Sequence, residues 1–446
     1  MRFLIFHGYM LRGTGSNIYN ASLAPALARL GHEVHLLCQD RRVELDGVEI
    51  HNPDIGGLLP VYVKDPYEGF ETKAFPELSE EELAAYLEAN VAAVREVAQG
   101  AGGIDAALAN HLVMGPAILA RAGVAPFAAK VHGSALEYTV KPHPRFLPYA
   151  EEGMEAAAGV LVGSRHTAES LWAAVPAVGG LEEKTRLGPP GVDTEEFRPR
   201  GPRQRGLVVF VGKLIVSKGV DLLLAAWPLV RPGHPDARLT LAGFGEYEPG
   251  IRRLLDALDR GDLDDAREVA RLGRALEGGG EEPLPILSAF LADPPDGYLE
   301  AARGMAGSVE LLGRLEHEEV ARLLPQADAL VMPSTFPEAF GMVAVEAAAC
   351  GTLPISADHS GMREVSRQLA ATLPAAAAGL TSFPVSEGAV EALAERLTGW
   401  LALPGTGRSA AREALVETTR RLWSWEGVAR GVVSAARGEL DRLPLA

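Results

Sequence analysis

Lysine is scarce in this 446-residue chain: seven residues, against 35 arginines (42 basic residues less those seven). Cysteine is scarcer, with only Cys38 and Cys350. Neither has a CxxC neighbour, so metal binding and redox chemistry have no support, and a reducing cytoplasm is the expected compartment. No run of 18 consecutive apolar residues occurs, so no transmembrane helix is read. Met1–Phe6 reads as a strand entering a glycine loop, without the charged, apolar and cleavage regions of a signal peptide. Basic excess is also missing. The formal charge is −17, which argues against a sequence-independent nucleic-acid binder. Arg198, Arg200, Arg203 and Arg205 form one basic run, but prolines and glycines interrupt it and it reads as a solvated linker.

Apolar residues make up 47% of the chain and mean hydropathy is +0.07, enough for substantial cores. Short β-rich apolar runs alternate with helical patterns from end to end. Strands are expected at Phe3–Phe6, Val34–Cys38, Ala106–Ala109, Phe127–Val131 and Gly159–Val162. A second set is expected at Leu207–Val211, Arg238–Ala242, Val309–Leu312, Ala329–Met332 and Thr352–Ser356. Many are apolar on both faces, as covered parallel strands must be. Each half therefore reads as a doubly wound α/β unit. The first domain is expected over 1–200 and the second over 206–423, parted by the Arg198–Arg203 linker. A helix of about Ser79–Gln99 carries the stripe Leu83, Leu87, Val91 and Val94. Residues 246–308 look like a helical insertion: surface decoration, a lid or an oligomer contact. Trp423, Trp425, Val428 and Val432 mark a final helix, about 424–446, that would cross back to the first domain.

Open α/β sheets bind ligands beyond the carboxyl ends of their strands, so the loops there matter most. After the first strand comes Arg12-Gly13-Thr14-Gly15-Ser16-Asn17 and then a helix interrupted by Pro25. Gly13 and Gly15 would let backbone approach an anion. The loop is neither a GxGxxG, since Ile18 takes the last glycine position, nor a P-loop, since no GK[ST] follows. A nicotinamide dehydrogenase is accordingly disfavoured. After Leu207–Val211 comes Gly212-Lys213-Leu214-Ile215-Val216-Ser217-Lys218-Gly219. Two of the seven lysines sit here, at a strand end, where ammonium groups suit a diphosphate. After Arg238–Ala242, Gly243 and Gly245 flank Phe244, either to admit a flat base or ribose or simply to make a turn.

The segment Pro333–Gly351 is the sharpest feature. Strand Ala329–Met332 ends at Pro333, the loop carries Glu338, and a helix runs from near Gly341 to near Gly351. Glu346 is the only charged residue from Gly341 to Cys350. An all-apolar helix should be buried, and a buried carboxylate needs partners. Ribose hydroxyls would serve, as would a basic side chain of the protein itself. Backbone N–H groups of Phe340, Gly341 and Met342 would face out of the helix start. A hydrolytic Glu338/Glu346 pair is disfavoured, because Glu346 lies in the helix interior with no room for a sugar ring between the two groups.

These residues resemble the retaining glycosyltransferases of family 4, with the two-domain GT-B fold. The resemblance rests on E-x7-E (Glu338, Glu346) within its PS…E-x-F-G…E-A…G context. Gly188-Pro189-Pro190-Gly191-Val192-Asp193…Phe197-Arg198-Pro199, Gly212…Lys218-Gly219, Gly243-Phe244-Gly245 and Leu312-Gly313 support it, in order and spacing. The resemblance implies two Rossmann-like domains facing a central cleft. It implies that Glu346 holds the ribose and Glu338 contacts the donor sugar, with Phe340, Gly341 and Met342 as backbone partners. Lys213 and Lys218 would clamp the diphosphate, with Gly212 in their loop. Gly13 and Gly15 would face the phosphates or acceptor. His132 alone, after Phe127–Val131, would read first as structural; the resemblance implies a place beside the donor sugar. Three features depart from the usual pattern: lysine rather than arginine at position 213, serine at 360 where a second glycine is usual, and a longer insertion after Gly245.

The implied reaction moves a sugar, with retention, from a nucleoside-diphosphate sugar to an acceptor. A UDP-sugar is the first expectation and GDP-mannose the second. The acceptor is a small molecule, a lipid or a glycan. No prosthetic group is expected. No DxD-like motif stands at a strand end, so no metal is expected in the reaction, and the lysines would stabilise the leaving diphosphate. Two other readings fit the same fold: a sugar-nucleotide epimerase, and a non-catalytic nucleotide-sugar binder. Peripheral contact with the inner membrane face and the oligomeric state stay open.

Overall fold

The computed structural model describes residues 1–13, 15–63, 67 and 69–446. The chain forms two compact units: Met1–Gly191 with Trp423–Ala446, and Val192–Leu422. The division falls before the arginine run because the segment after Gly191 packs in the second unit. There the Phe197 ring lies 4.8 Å from that of His317.

The first unit is built on a parallel sheet. Its strands are β1 (Arg2–Phe6), β2 (Glu33–Leu37) and β3 (Val48–His51), then, past a separate two-stranded sheet of β4 (Leu58–Val61) and β5 (Glu71–Ala74), β6 (Ala106–Asn110), β7 (Phe127–Val131), β8 (Gly159–Val162) and β9 (Thr185–Leu187). The order is β3-β2-β1-β6-β7-β8-β9. It reverses between β1 and β6, which puts a topological switch point at their carboxyl ends. The expected strands occur, with ends shifted by at most one residue. The additional ones, β3, β4, β5 and β9, have three or four residues of mixed polarity in place of an apolar run, or lie outside the main sheet. All five residues of β6 and all five of β7 are buried, as strands covered on both faces require.

Helix Glu80–Gly100 begins with a reciprocal capping box. Ser79 Oγ accepts from the Glu82 N–H at 3.1 Å, and Glu82 Oε2 accepts from the Ser79 N–H at 2.9 Å. Its expected stripe, Leu83, Leu87, Val91 and Val94, is buried against the sheet. The opposite face is covered by helix Gly15–Arg29, which contains Pro25, and by helix Trp425–Ala436, which packs on it and on β6, β7 and β8. Trp425 meets Tyr19 edge-on at 5.5 Å.

The second unit has β10 (Leu207–Val211), β11 (Arg238–Ala242), β12 (Val309–Gly313), β13 (Ala329–Met332), β14 (Leu353–Ala357) and β15 (Ser382–Phe383). Their order, β12-β11-β10-β13-β14-β15, reverses between β10 and β13. Residues between β11 and β12 form four helices, Glu248–Arg260, Leu263–Leu272, Pro285–Ala292 and Tyr298–Ala302. They pack into the unit rather than decorating it. Buried Tyr298 donates to the Ala225 carbonyl at 2.9 Å, and its helix lies on helix Val220–Val230. No helix among the described residues is long and apolar enough to cross a membrane.

Candidate active site

In the second unit the loops after β10, β11, β13 and β14 are bound to one another. The Gly212 N–H donates to Ala242 O and the Leu214 N–H to Phe244 O, at 3.0 and 2.8 Å. A Cβ on Gly243 would stand 1.9 Å from Gly212 O, and one on Gly245 2.4 Å from Leu214 O. The protein's own backbone therefore demands both glycines, whatever else they face. Gly243→Ala should lower stability by about 2 kcal/mol or more through overpacking against that carbonyl. An unchanged denaturation midpoint would remove this reason for the glycine. Gly219, at φ +66°, would likewise put a Cβ 2.0 Å from Pro333 O. This contact brings the β10 loop to the β13 loop at the switch point. The Thr335 N–H and the Ser334 hydroxyl both donate to Ser217 O at 2.9 Å.

Lys218 and Glu338 meet across this junction as a direct ion pair, both partly exposed. Ser334 Oγ also lies 2.9 Å from Glu338 Oε1, so its one proton is shared between that carboxylate and the Ser217 carbonyl. The β14 loop secures the glutamate backbone. The Glu338 N–H donates to Ser360 Oγ at 2.9 Å, and the Gly361 N–H to Glu338 O at 2.9 Å. Ser360, the residue where glycine is usual, sits at φ +50°, a left-handed conformation that serine adopts at some cost. Its hydroxyl supplies a contact with Glu338 that glycine lacks. His359 donates from Nε2 to Ser334 O at 2.8 Å and braces the same loops. Lys213 lies in the β10 loop, half-buried.

Gly341, at φ +96°, caps the helix Met342–Ala349, an entry that favours glycine. As at any helix start, the first N–H groups, Met342 among them, have no intrahelical acceptor. Phe340 is buried beside them. Glu346 is buried too, 6% exposed, and a protein partner reaches it: His317 Nε2, at 3.2 Å from Oε1. The other ring nitrogen, Nδ1, lies 3.6 Å from Glu196. Burial works against the imidazolium, yet the hydrogen bond to Glu346 and the charges of Glu346, Glu196 and Asp193 outweigh it and hold the His317 pKa above its usual value. The bond engages one carboxylate oxygen.

The first unit gathers a second polar cluster at its own switch point. His132 Nε2 lies 2.8 Å from Asn110 Oδ1. Asn110 Nδ2 donates to the Phe6 carbonyl at 3.1 Å, which makes Oδ1 the acceptor and His132 Nε2 the donor. Asn20 exchanges hydrogen bonds with Asn110 and donates to His7 Nδ1 at 3.0 Å. His7 Nε2 in turn donates to Met10 O and Asn17 Oδ1, both at 3.0 Å. Burial, against the raising effect of those bonds, pushes the His7 pKa down to about 4. Burial first, then His111, Lys130 and His7, puts His132 well below the usual range, and burial with His7 does the same to His111. Neutral His132 thus keeps a lone pair on Nδ1. His111, at φ +69°, is 2% exposed and neither ring nitrogen has a hydrogen-bond partner among the described residues. Lys130 is buried against the Tyr19 ring, with its pKa lowered by burial to about 7.

Gly13, at φ +93°, and Gly15, the first residue of helix Gly15–Arg29, flank Thr14, which lies outside the described residues. Arg12 O accepts from Asn17 Nδ2 at 2.8 Å, tying this loop to the histidine cluster. Sequence reasoning missed His7, Asn20, Asn110, His111 and His317. The available signal was a polar residue directly after an apolar strand, as at His7 and Asn110-His111. Nothing in the chain order pairs them.

Two family models match the chain: "Glycosyltransferase Family 4" over residues 13–196 and "Glycosyl transferases group 1" over residues 298–421. A D-inositol 3-phosphate glycosyltransferase of Geodermatophilus obscurus is 30% identical over 374 residues, 79% of this chain and 72% of the relative. Among solved structures, sucrose-phosphate synthase from Thermosynechococcus elongatus superposes with a TM-score of 0.62 at 20% identity, covering 99% of this chain and 100% of that one. Anabaena HepE, in complex with UDP and glucose, does so with a TM-score of 0.60 at 15% identity, covering 98% and 99%.

Proposed function

Because the chain belongs to glycosyltransferase family 4, with the GT-B fold, we propose that it moves a sugar from a nucleoside-diphosphate sugar, with retention and without a metal. The observation that carries this reading is the joining of Lys218 and Glu338 at the β10/β13 switch point, with Glu338 on the loop that enters the helix bearing buried Glu346. The donor diphosphate takes Lys218 and Lys213 as point charges. Glu338, released from Lys218, turns to the sugar, with the N–H groups of Phe340, Gly341 and Met342 at the helix start beside it. Glu346 accepts a ribose hydroxyl on Oε2, while His317 keeps Oε1. Gly212 permits the close approach of the β10 loop; Gly243 and Gly245 hold that loop in place from below.

The acceptor is assigned to the first unit, beside Gly13, Gly15 and His132. Neutral histidines and asparagine amides suit a hydroxyl-rich molecule, since each offers both an acceptor and a donor. The relative named for D-inositol 3-phosphate makes a phosphorylated polyol the first acceptor to test. A UDP-sugar is the first donor to test, supported by the UDP in the Anabaena complex, and GDP-mannose the second.

A thermal-shift panel of UDP, GDP, ADP and TDP tests the donor assignment. Stabilisation by UDP alone is expected, and a shift by none of the four would overturn it. Glu346→Ala should weaken UDP binding by about tenfold or more, for the loss of a charged hydrogen bond. Equal affinity by calorimetry would remove the ribose role from Glu346.

A further inference from the structure

The edge of the first unit's sheet carries a cluster that the transfer reaction does not use. His35 on β2 is the register partner of Glu49 on β3, and His51 stands two residues further along β3, opposite Leu37. The pleat therefore puts Glu49 and His51 on one face, with His35 across the ladder from them. His35 Nδ1 lies 3.2 Å from His51 Nε2 and 3.3 Å from Glu49 Oε2. His51 Nε2 lies 3.7 Å from Glu49 Oε1. Two imidazole nitrogens and a carboxylate thus converge on one point. Zinc bonds to nitrogen and oxygen of about 2.0–2.2 Å set tetrahedral ligand atoms about 3.3 Å apart, the spacing seen here.

The surroundings complete the pattern. His35 Nε2 lies 3.3 Å from Glu33 Oε1, so a carboxylate orients the ring from behind, as metal-bound histidines require. His35 is buried, His51 half-buried and Glu49 open to solvent, which leaves room for a water as fourth ligand. Among the described residues strand β3 is paired on one side only, so an ion shared with β2 would pin the edge of the sheet. No residue is shared with the His7–Asn110–His132 network.

We propose that His35, Glu49 and His51 form a binding site for one zinc-like divalent cation that staples β3 to β2. Full-length protein stripped with a chelator would be titrated with zinc chloride by calorimetry and with cobalt chloride by visible absorption. One equivalent of zinc should bind, cobalt should give the intense bands of a tetrahedral site, and zinc should raise the unfolding temperature. Glu49→Gln and His51→Gln should each lower zinc affinity by about tenfold or more, the order expected for loss of a ligand or its support. Glu49 and His51 are solvent-accessible, so the metal-free variants should melt with the metal-free parent. Absence of saturable binding by the folded parent, or parental zinc affinity in both variants, would overturn the site.

Discussion

Lys218→Ala should lower kcat by about two to three orders of magnitude, the loss typical of removing one preorganised charge from a developing anion. Charge grows on the diphosphate as the sugar leaves, so a fixed ammonium helps the transition state more than the bound donor. KM should therefore move less than kcat. The fold should be little affected. The Lys218–Glu338 pair is partly exposed, and Ser334 Oγ and the β14 loop hold Glu338 without the lysine. Such pairs contribute at most about 1 kcal/mol to stability. Steady-state kinetics with a UDP-sugar, beside a thermal melt, separate the two effects. A kcat within a few-fold of the parent would reject the clamp. Lys218→Arg keeps charge on a longer, forked group, so partial recovery is expected if charge rather than shape is what the site needs.

The first unit should lose stability steeply on acidification. His7, His111 and His132 are held neutral, each with its pKa below that of the unfolded chain, mainly by burial. A histidine pKa lowered by folding means that the unfolded chain binds more protons between the folded and unfolded values. Stability therefore rises with pH across that window and is lost as pH falls from about 6.5 through the folded pKa. For His7, a descent to about 4 corresponds to about 3 kcal/mol. The other two add to the same window. His317 in the second unit acts in the opposite sense: its raised pKa gives stability below about 6.5 that is lost as pH rises through the folded value. Hydrogen exchange across a pH series should thus show first-unit peptides losing protection first as pH drops. His111→Asn, tolerated at its positive φ, should make the loss less steep. A first unit equally protected at about pH 7 and pH 5 would contradict the neutral-histidine account.

Much of the architecture was legible because covered parallel strands need continuous apolar runs, and those runs stand in plain view at Phe127–Val131 and Leu207–Val211. The short edge strands were not. Val48–His51 alternates polar and apolar residues over four positions, too few to distinguish from a loop. The strand-end loops were legible as places, since glycine and scarce lysine mark them. Their glycines proved to answer to neighbouring backbone, a reason no single segment contains.

The order of residues by itself determined the two α/β units, the buried helix bearing Glu346, and the strand ends where Lys213, Lys218, Glu338 and His132 would sit. Periodicity and composition are local properties, and they dictate local structure. Only the tertiary structure decided the partners: Lys218 with Glu338 across 120 residues, His317 with Glu346, and Asn110 with His132 and Asn20. Those choices follow from strand order, because reversal at β1/β6 and β10/β13 brings distant loops to one edge of a sheet. A hydrogen bond or ion pair reaches only a few ångströms, so which groups meet is set by where the sheet delivers them, and not by their distance along the chain.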